Sequence, residues 1–232
     1  MKKWLGIGAA LIVGVIVLGR MMWLNSPMRE IERSRDAVAA SKSWHYHTVR
    51  YIPGLPLETF DIDVLCPGFQ HFIDSTTRMQ DGAPLVIDTI TYAGHAYRLT
   101  GGRYVIPGDT QYQINANAAR VSAIIECDVG PIGADQNSLP YKAMLEGTVK
   151  RGQDREVEND SCTDYNVTVP TPHDPQEKDF HFTICINEND HLPRQTRRTL
   201  PGYTHEGVST YTQWNVMREP QLPPEIPSET AP

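Results

Sequence analysis

The chain has 232 residues, enough for one sizeable domain or two small ones with a real core. Hydrophobic residues make up 40%, and 18 prolines and 17 glycines supply many turns. The net charge is -7, and residues before Ser26 hold Lys2, Lys3 and Arg20 with no acid, which leaves -10 on the rest; a body that acidic is repelled by phosphate backbones and anionic lipid headgroups, so nucleic-acid binding is not expected.

Met1-Lys2-Lys3 is a short basic start, and Trp4 to Gly19 is then free of charge. This run lies between a signal-peptide core and a comfortable membrane span. Arg20 interrupts it, but Met21-Met22-Trp23-Leu24 continues the apolar character, with Trp4 and Trp23 placed as interfacial aromatics. Residues 1–25 are therefore expected to form an uncleaved transmembrane or signal-anchor helix, spanning with 4–24; the alternative is a cleaved signal with Val17 and Gly19 before the cut. No cysteine follows the apolar core, so lipid attachment there is not expected.

Ser26-Pro27 reads as a helix start, with Ser26 as N-cap and Glu30 and Glu32 near the positive end. Met28, Ile31 and Val38 recur at helical spacing to about Ser41, and the charged remainder reads as a solvated face. From Trp44 the period changes to two. Trp44–Tyr51, Phe60–Val64, Phe69–Asp74, Leu85–Tyr92 and His95–Leu99 read as strands joined by short turns at Pro53-Gly54, Cys66-Pro67-Gly68, Asp81-Gly82 and Ala93-Gly94, with Gly101-Gly102 closing the last, an antiparallel meander. Residues 115–127 break the pattern: Ala118, Val121, Ile124 and Ile125 predict a second helix packed on the sheet, followed by a loop over 128–140. Strands are expected again at Ala143–Lys150, then a polar turn Gly152–Asp160, then a hairpin over Cys162–Asn187. Leu192-Pro193 starts a further strand through Arg198, and Tyr203–Met217 reads as a last long one. The domain proper is thus 26–218, and 219–232, with five prolines, is expected to be disordered or extended.

In the hairpin, Tyr165, Val167 and Val169 alternate with Asp164, Asn166 and Thr168, and Phe180, Phe182, Ile184 and Ile186 alternate with polar neighbours. Cys162 and Cys185 share the parity of the polar residues, which predicts a cross-strand disulfide on the solvent side. Val169 opposite Phe180 would bring Cys162 opposite Asn187, two residues past Cys185, and a shift within the loop is expected to absorb the difference. Cys66 shares parity with Phe60, Ile62 and Val64 and points inward, where the second helix would bring Cys127; Cys66–Cys127 is the second expected bridge. An even cysteine count with no pair at zinc-site spacing favours bridges over free thiols or a metal, and so a compartment outside the cytoplasm.

His45 and His47 share a strand face and suit a metal pair, but exposed strand histidines are the simpler reading. Asp61 and Asp63 likewise resemble a carboxylate pair and read more simply as the wet side of a half-buried strand. No Gly-x-Ser-x-Gly, Ser-x-x-Lys, Gly-rich phosphate loop or His-Glu-x-x-His is present, so neither catalysis nor a cofactor is expected. Asn159-Asp-Ser and Asn166-Val-Thr fit the glycosylation sequon, a short motif that decides nothing alone. The fold class is α+β: a curved antiparallel sheet, an unclosed β-barrel, packed on helices. Its inner face is expected to carry Phe60, Ile62, Val64, Ile90, Tyr92, Phe180, Phe182, Ile184 and Trp214. Either the helices fill that concavity or an apolar groove remains, suited to an acyl chain.

The order of elements resembles the LolA/LolB/LppX-like family of bacterial envelope proteins over about Pro27 to Pro223. The matching stretches are Ala37-Val38-Ala39 in the first helix, His95-Ala96-Tyr97 through Gly101-Gly102-Arg103-Tyr104, Cys185 through Leu192-Pro193-Arg194, and Tyr211-Thr212-Gln213-Trp214-Asn215. The resemblance implies an unclosed barrel wrapped on helices, a hydrophobic interior and, in several members, carriage of lipids or lipoproteins. It departs from the family in lacking a lipid-attachment cysteine, and an anchored copy does not diffuse as a soluble carrier does. The expected function is binding or transfer of a lipid-like ligand by an envelope protein on the inner membrane with its body in the periplasm, or secreted if the N-terminus is cleaved. The alternative is an interaction or sensor module of an envelope complex, with a filled core and a protein partner.

Overall fold

The computed structural model describes residues 26–77, 84–93, 95–106, 147–169, 180–199 and 206–226. Helix α1 (Pro27–Ala40) begins as its sequence dictates: the Ser26 hydroxyl accepts the Arg29 N–H at 3.2 Å and Pro27 occupies the first turn. It stops at Ser41, whose N–H bonds the Val38 carbonyl and whose hydroxyl donates to Ala37 O. Its buried stripe is Glu30, Ile31, Ser34 and Val38, so Glu30 does not belong to the solvated face assigned to it.

Eleven strands follow among the described residues: β1 (Ser43–Tyr51), β2 (Glu58–Leu65), β3 (Phe69–Thr77), β4 (Pro84–Tyr92), β5 (His95–Thr100), β6 (Arg103–Val105), β7 (Thr148–Val157), β8 (Asp160–Val169), β9 (Phe180–Ile186), β10 (Pro193–Thr199) and β11 (Glu206–Thr212). They form one antiparallel sheet in the order β6-β5-β4-β3-β2-β1-β11-β10-β9-β8-β7. Two meanders are thus joined where β1 pairs with β11, His45 opposite Thr212 and Tyr51 opposite Glu206. The ends β6 and β7 do not pair, so the sheet is a curved half-barrel.

Several expectations are corrected. The stretch read as a polar turn, Gly152–Asp160, is mostly strand: β7 runs to Val157 and only Glu158 and Asn159, both with positive φ, make the turn. Its charges mark an edge strand, where they discourage further pairing. The last strand is shorter than expected, because Gln213 and Asn215 adopt φ of 55° and 58° and turn the chain after Thr212; Trp214 sits in that turn. The tail does not read as disordered over Glu219–Ile226: Ile226 is 3% exposed and packs with Phe69, Ile90 and Tyr97. The second helix at 115–127, the loops 128–140 and 170–179, and the segment 1–25 lie outside the described residues, within which no helix is long and apolar enough to cross a membrane.

The Cys162–Cys185 disulfide forms, with Cα atoms 5.4 Å apart. No shift absorbs the register: pairing runs unbroken from Thr163–Ile186 to Val169–Phe180, Cys185 faces Asp164, and the bridge is diagonal. It leaves the outer face but is not wet, since Cys162 is 3% and Cys185 0% exposed. Val157 packs against it, and the Arg155–Asp164 ion pair at 2.8 Å stands beside it on the same face. Cys66 is also disulfide-bonded, and Cys127, the partner expected for it, lies outside the described residues.

Candidate functional site

Strand registers carry one face across the whole sheet. Phe60, Ile62 and Val64 of β2 stand opposite Thr48, Tyr46 and Trp44 of β1, and Tyr46 opposite Tyr211 of β11. Ser209 continues to Thr196 and Ile184, and Ile184 to Tyr165. Phe60, Ile62, Val64, Phe182 and Ile184 therefore share the inner face as expected, and Trp214 packs on it from the turn after β11. Phe180 lies opposite Val169 in the backbone ladder; its side chain is outside the described residues.

Ile90 and Tyr92 do not belong there. His71 stands opposite both Asp63 and Ile90, which puts Ile90 and Tyr92 on the outer face, under Leu222 and Ile226 of the C-terminal segment. Both parities of β4 are apolar because both faces are used, so alternation alone cannot choose between them.

The inner face carries two apolar clusters. Ile31, Ala37 and Val38 of α1 cover Tyr165, Val167, Phe182, Ile184 and Ile186. Trp44, Ile62, Val64 and Tyr211 form the other, with Tyr46, Phe60 and Phe72 half-buried at its margin. Trp214 belongs to both, its ring centroid 5.6 Å from Trp44 and 6.1 Å from Tyr211, and its indole N–H donates to Pro193 O. Tyr46–Tyr211 and Phe60–Phe72 pair at 5.5 and 5.8 Å. Between the clusters runs a hydroxyl stripe, in which Thr48 bonds Ser209 at 2.8 Å and Thr196 bonds Tyr211 at 3.3 Å.

On the outer face the histidines and aspartates interleave. His45 Nδ1 lies 2.8 Å from Asp63, His47 Nδ1 2.7 Å from Asp61, and His71 Nε2 2.9 Å from Asp88, which also accepts the Tyr104 hydroxyl. The hydrogen bond that the His45 ring donates to Asp63 and the charges of Asp63 and Asp61 raise the His45 pKa above its ordinary 6.5, against burial that lowers it. No three of these groups are arranged to hold a metal among the described residues. The His45–His47 and Asp61–Asp63 pairs thus pair with each other across strands.

LprF from Mycobacterium bovis has a similar structure: the match covers 83% of this chain and 94% of that one, with a TM-score of 0.58 and 16% sequence identity. The Mycobacterium tuberculosis lipoprotein LppX matches over 83% of this chain and 97% of its own, at a TM-score of 0.52 and 14% identity. The fold is LppX-like. No protein-family model matches the chain, and neither does any curated protein sequence.

In this LppX-like sheet, sequence reasoning missed Tyr46, Phe72 and Tyr211 as inner-face aromatics. A signal for Phe72 existed: the three-residue turn at Cys66-Pro67-Gly68 fixes Leu65 opposite Phe69, and so Ile62 opposite Phe72. The polar rim formed by Glu30, Tyr165, Glu188 and His191 had no such signal, because its parts come from three separate segments: α1, β8 and the turn between β9 and β10.

Proposed function

We propose that the chain is a non-catalytic protein of the bacterial cell envelope whose half-barrel binds a lipid-like hydrophobic ligand against the inner face of β1–β3. Residues 4–24 hold it to the inner membrane and the body stands in the periplasm. The observation that carries this reading is the unequal cover of the inner face. Helix α1 packs over the β7–β9 cluster, whereas Tyr46, Phe60 and Phe72 keep part of their aromatic surface. Apolar surface of that kind is stabilised by an acyl chain laid along it, at about 25 cal/mol per Å² removed from water. The likeness in fold to LppX, a lipoprotein, supports an envelope setting, and the buried disulfide suits an oxidising compartment.

A fluorescent fatty-acid probe tests it. Binding to the full chain in neutral detergent is expected to weaken at least about tenfold in Phe60→Asp, since a carboxylate in the groove must be desolvated by the ligand. Equal binding by the parent protein and Phe60→Asp, with both folded, would show that the ligand does not use this face. Recovery of polypeptide partners alone, with no lipid bound, would favour an interaction module instead.

A further inference from the structure

One rim of the inner face is polar and open. There the first turn of α1 meets β7, β8 and the turn between β9 and β10 around a cavity of about 360 Å³. Two ionic groups face each other across it. On the helix side, the buried Glu30 accepts from Arg33 at 3.2 Å and pairs with His191 Nδ1 at 2.5 Å. On the sheet side, Glu188 accepts from Arg151 Nη2 and from the Tyr165 hydroxyl, each at 3.0 Å. Asn187 fixes the turn that presents Glu188 and His191, its side-chain oxygen accepting the N–H groups of Asn189 and Asp190.

The wall therefore holds two carboxylates and two guanidiniums and has no strong net charge. Such a wall disfavours a lone phosphate or a lone cation and suits a ligand bearing both. Arginine binds phosphate through paired N–H donors, and a carboxylate accepts from a primary ammonium. The bond to Arg151 holds the Glu188 carboxyl below its ordinary range, so it is an anion at neutral pH. The hydrogen bonds of Arg151 to Asp154, Thr163 and Glu188 all leave from Nη2, and a guanidinium has five donors.

Two features connect the cavity to a lipid rather than to a soluble molecule. Tyr165 belongs both to its wall and to the apolar cluster under α1, so the polar mouth adjoins the greasy inner face. Ser26 and Pro27, also in the wall, come directly after the apolar stretch that ends at Leu24, separated from it by at most about 10 Å of extended chain. In an anchored chain the cavity stands at the level of the lipid headgroups.

We propose that this cavity takes the headgroup of a phospholipid carrying both a phosphate and a primary ammonium, the phosphate on Arg151 and Arg33 and the ammonium on Glu188 and Glu30. The assignment rests on the lipid-binding reading above and names its ligand class.

The full chain in neutral detergent is titrated with dihexanoyl-phosphatidylethanolamine, with dihexanoyl-phosphatidylglycerol, and with glycerophosphoethanolamine, which has the headgroup without the chains. The ethanolamine lipid is expected to bind about tenfold more tightly than the glycerol lipid, and Glu188→Gln and Arg151→Gln each to remove that preference. Arg151→Lys, which keeps the charge, is expected to retain part of it. Should Arg151→Gln unfold, Arg33→Gln carries the same test from the solvent side of the helix. Equal affinity for the two lipids, or a preference untouched in folded variants, overturns the headgroup assignment while leaving lipid binding intact. Glycerophosphoethanolamine binding as tightly as the lipid overturns the lipid as source and keeps the zwitterion. Failure of every lipid to bind overturns the underlying carrier reading as well.

Discussion

His45 of the outer row stands against Asp63 across a strand gap, and this couples its protonation to stability. Below about pH 6.5 the His45 ring is protonated in the folded and the unfolded chain alike, and its attraction to Asp63 counts fully toward stability. As pH rises through the raised folded value, that contribution is lost. The gap in melting temperature between the parent protein and His45→Gln is expected to be wider near about pH 6 than near about pH 8.5. A titration by NMR is expected to place the His45 pKa above 6.5 and to bring it down in Asp63→Asn. A gap that does not change with pH would remove His45 from the linkage. At the same scale, Ile31 is fully buried between α1 and β8–β9, so Ile31→Ala is expected to cost about 2–5 kcal/mol in denaturant unfolding. The pairing of His45 with Asp63 was not legible in the sequence, which gives the parity of each strand but not the register that sets which residues meet.

Regular strands with one wet face are legible, and β2 is the plainest, its Phe60, Ile62 and Val64 facing inward against Asp61 and Asp63. β7 is less legible because it is an edge among the described strands: one side of its backbone pairs with no described strand, and charge takes the place of alternation. A bulge between Arg151 and Asp154 lets Gly152 lie close on β8, where an added Cβ would stand 2.8 Å from the Asn166 side-chain nitrogen and 3.1 Å from Asp164 Cβ. Gly152→Val is therefore expected to destabilise by about 1–3 kcal/mol, measured as a fall in the denaturation midpoint. The β8–β9 bridge closes a separation of 23 residues, a loop for which the chain-entropy model gives about 3 kcal/mol. Its burial predicts that reducing reagents leave it intact until the fold is opened with denaturant. Rapid reduction in the native protein would contradict that placement.

At the scale of the molecule, the chain joins its two meanders by pairing β1 with β11 in the middle of the sheet, so neither meander stands alone. The C-terminal segment then crosses to the outer face, where Leu222 and Ile226 cover Phe69, Ile90 and Tyr97 and Glu225 accepts the Tyr104 N–H at the β6 edge. Prolines at 220, 223 and 224 leave a disordered and an extended tail both open in the sequence; they forbid regular structure only, and the extended form packs as a strap. Truncation after Arg218 is expected to lower the melting temperature and to raise binding of a hydrophobic dye, with about 1.5–3 kcal/mol lost for a fully buried Ile226. The half-barrel and the face its first helix covers were legible from the strand pattern; the face its tail covers was not, because both faces of β3 and β4 carry apolar residues. On the proposed reading the half-buried inner aromatics Tyr46, Phe60 and Phe72 hold a lipid. Mass spectrometry of the full chain extracted under mild conditions from its native host tests this. Lipid is expected in near-stoichiometric amount and is expected to be lost from Phe60→Asp; protein that carries polypeptide partners and no lipid would contradict lipid binding.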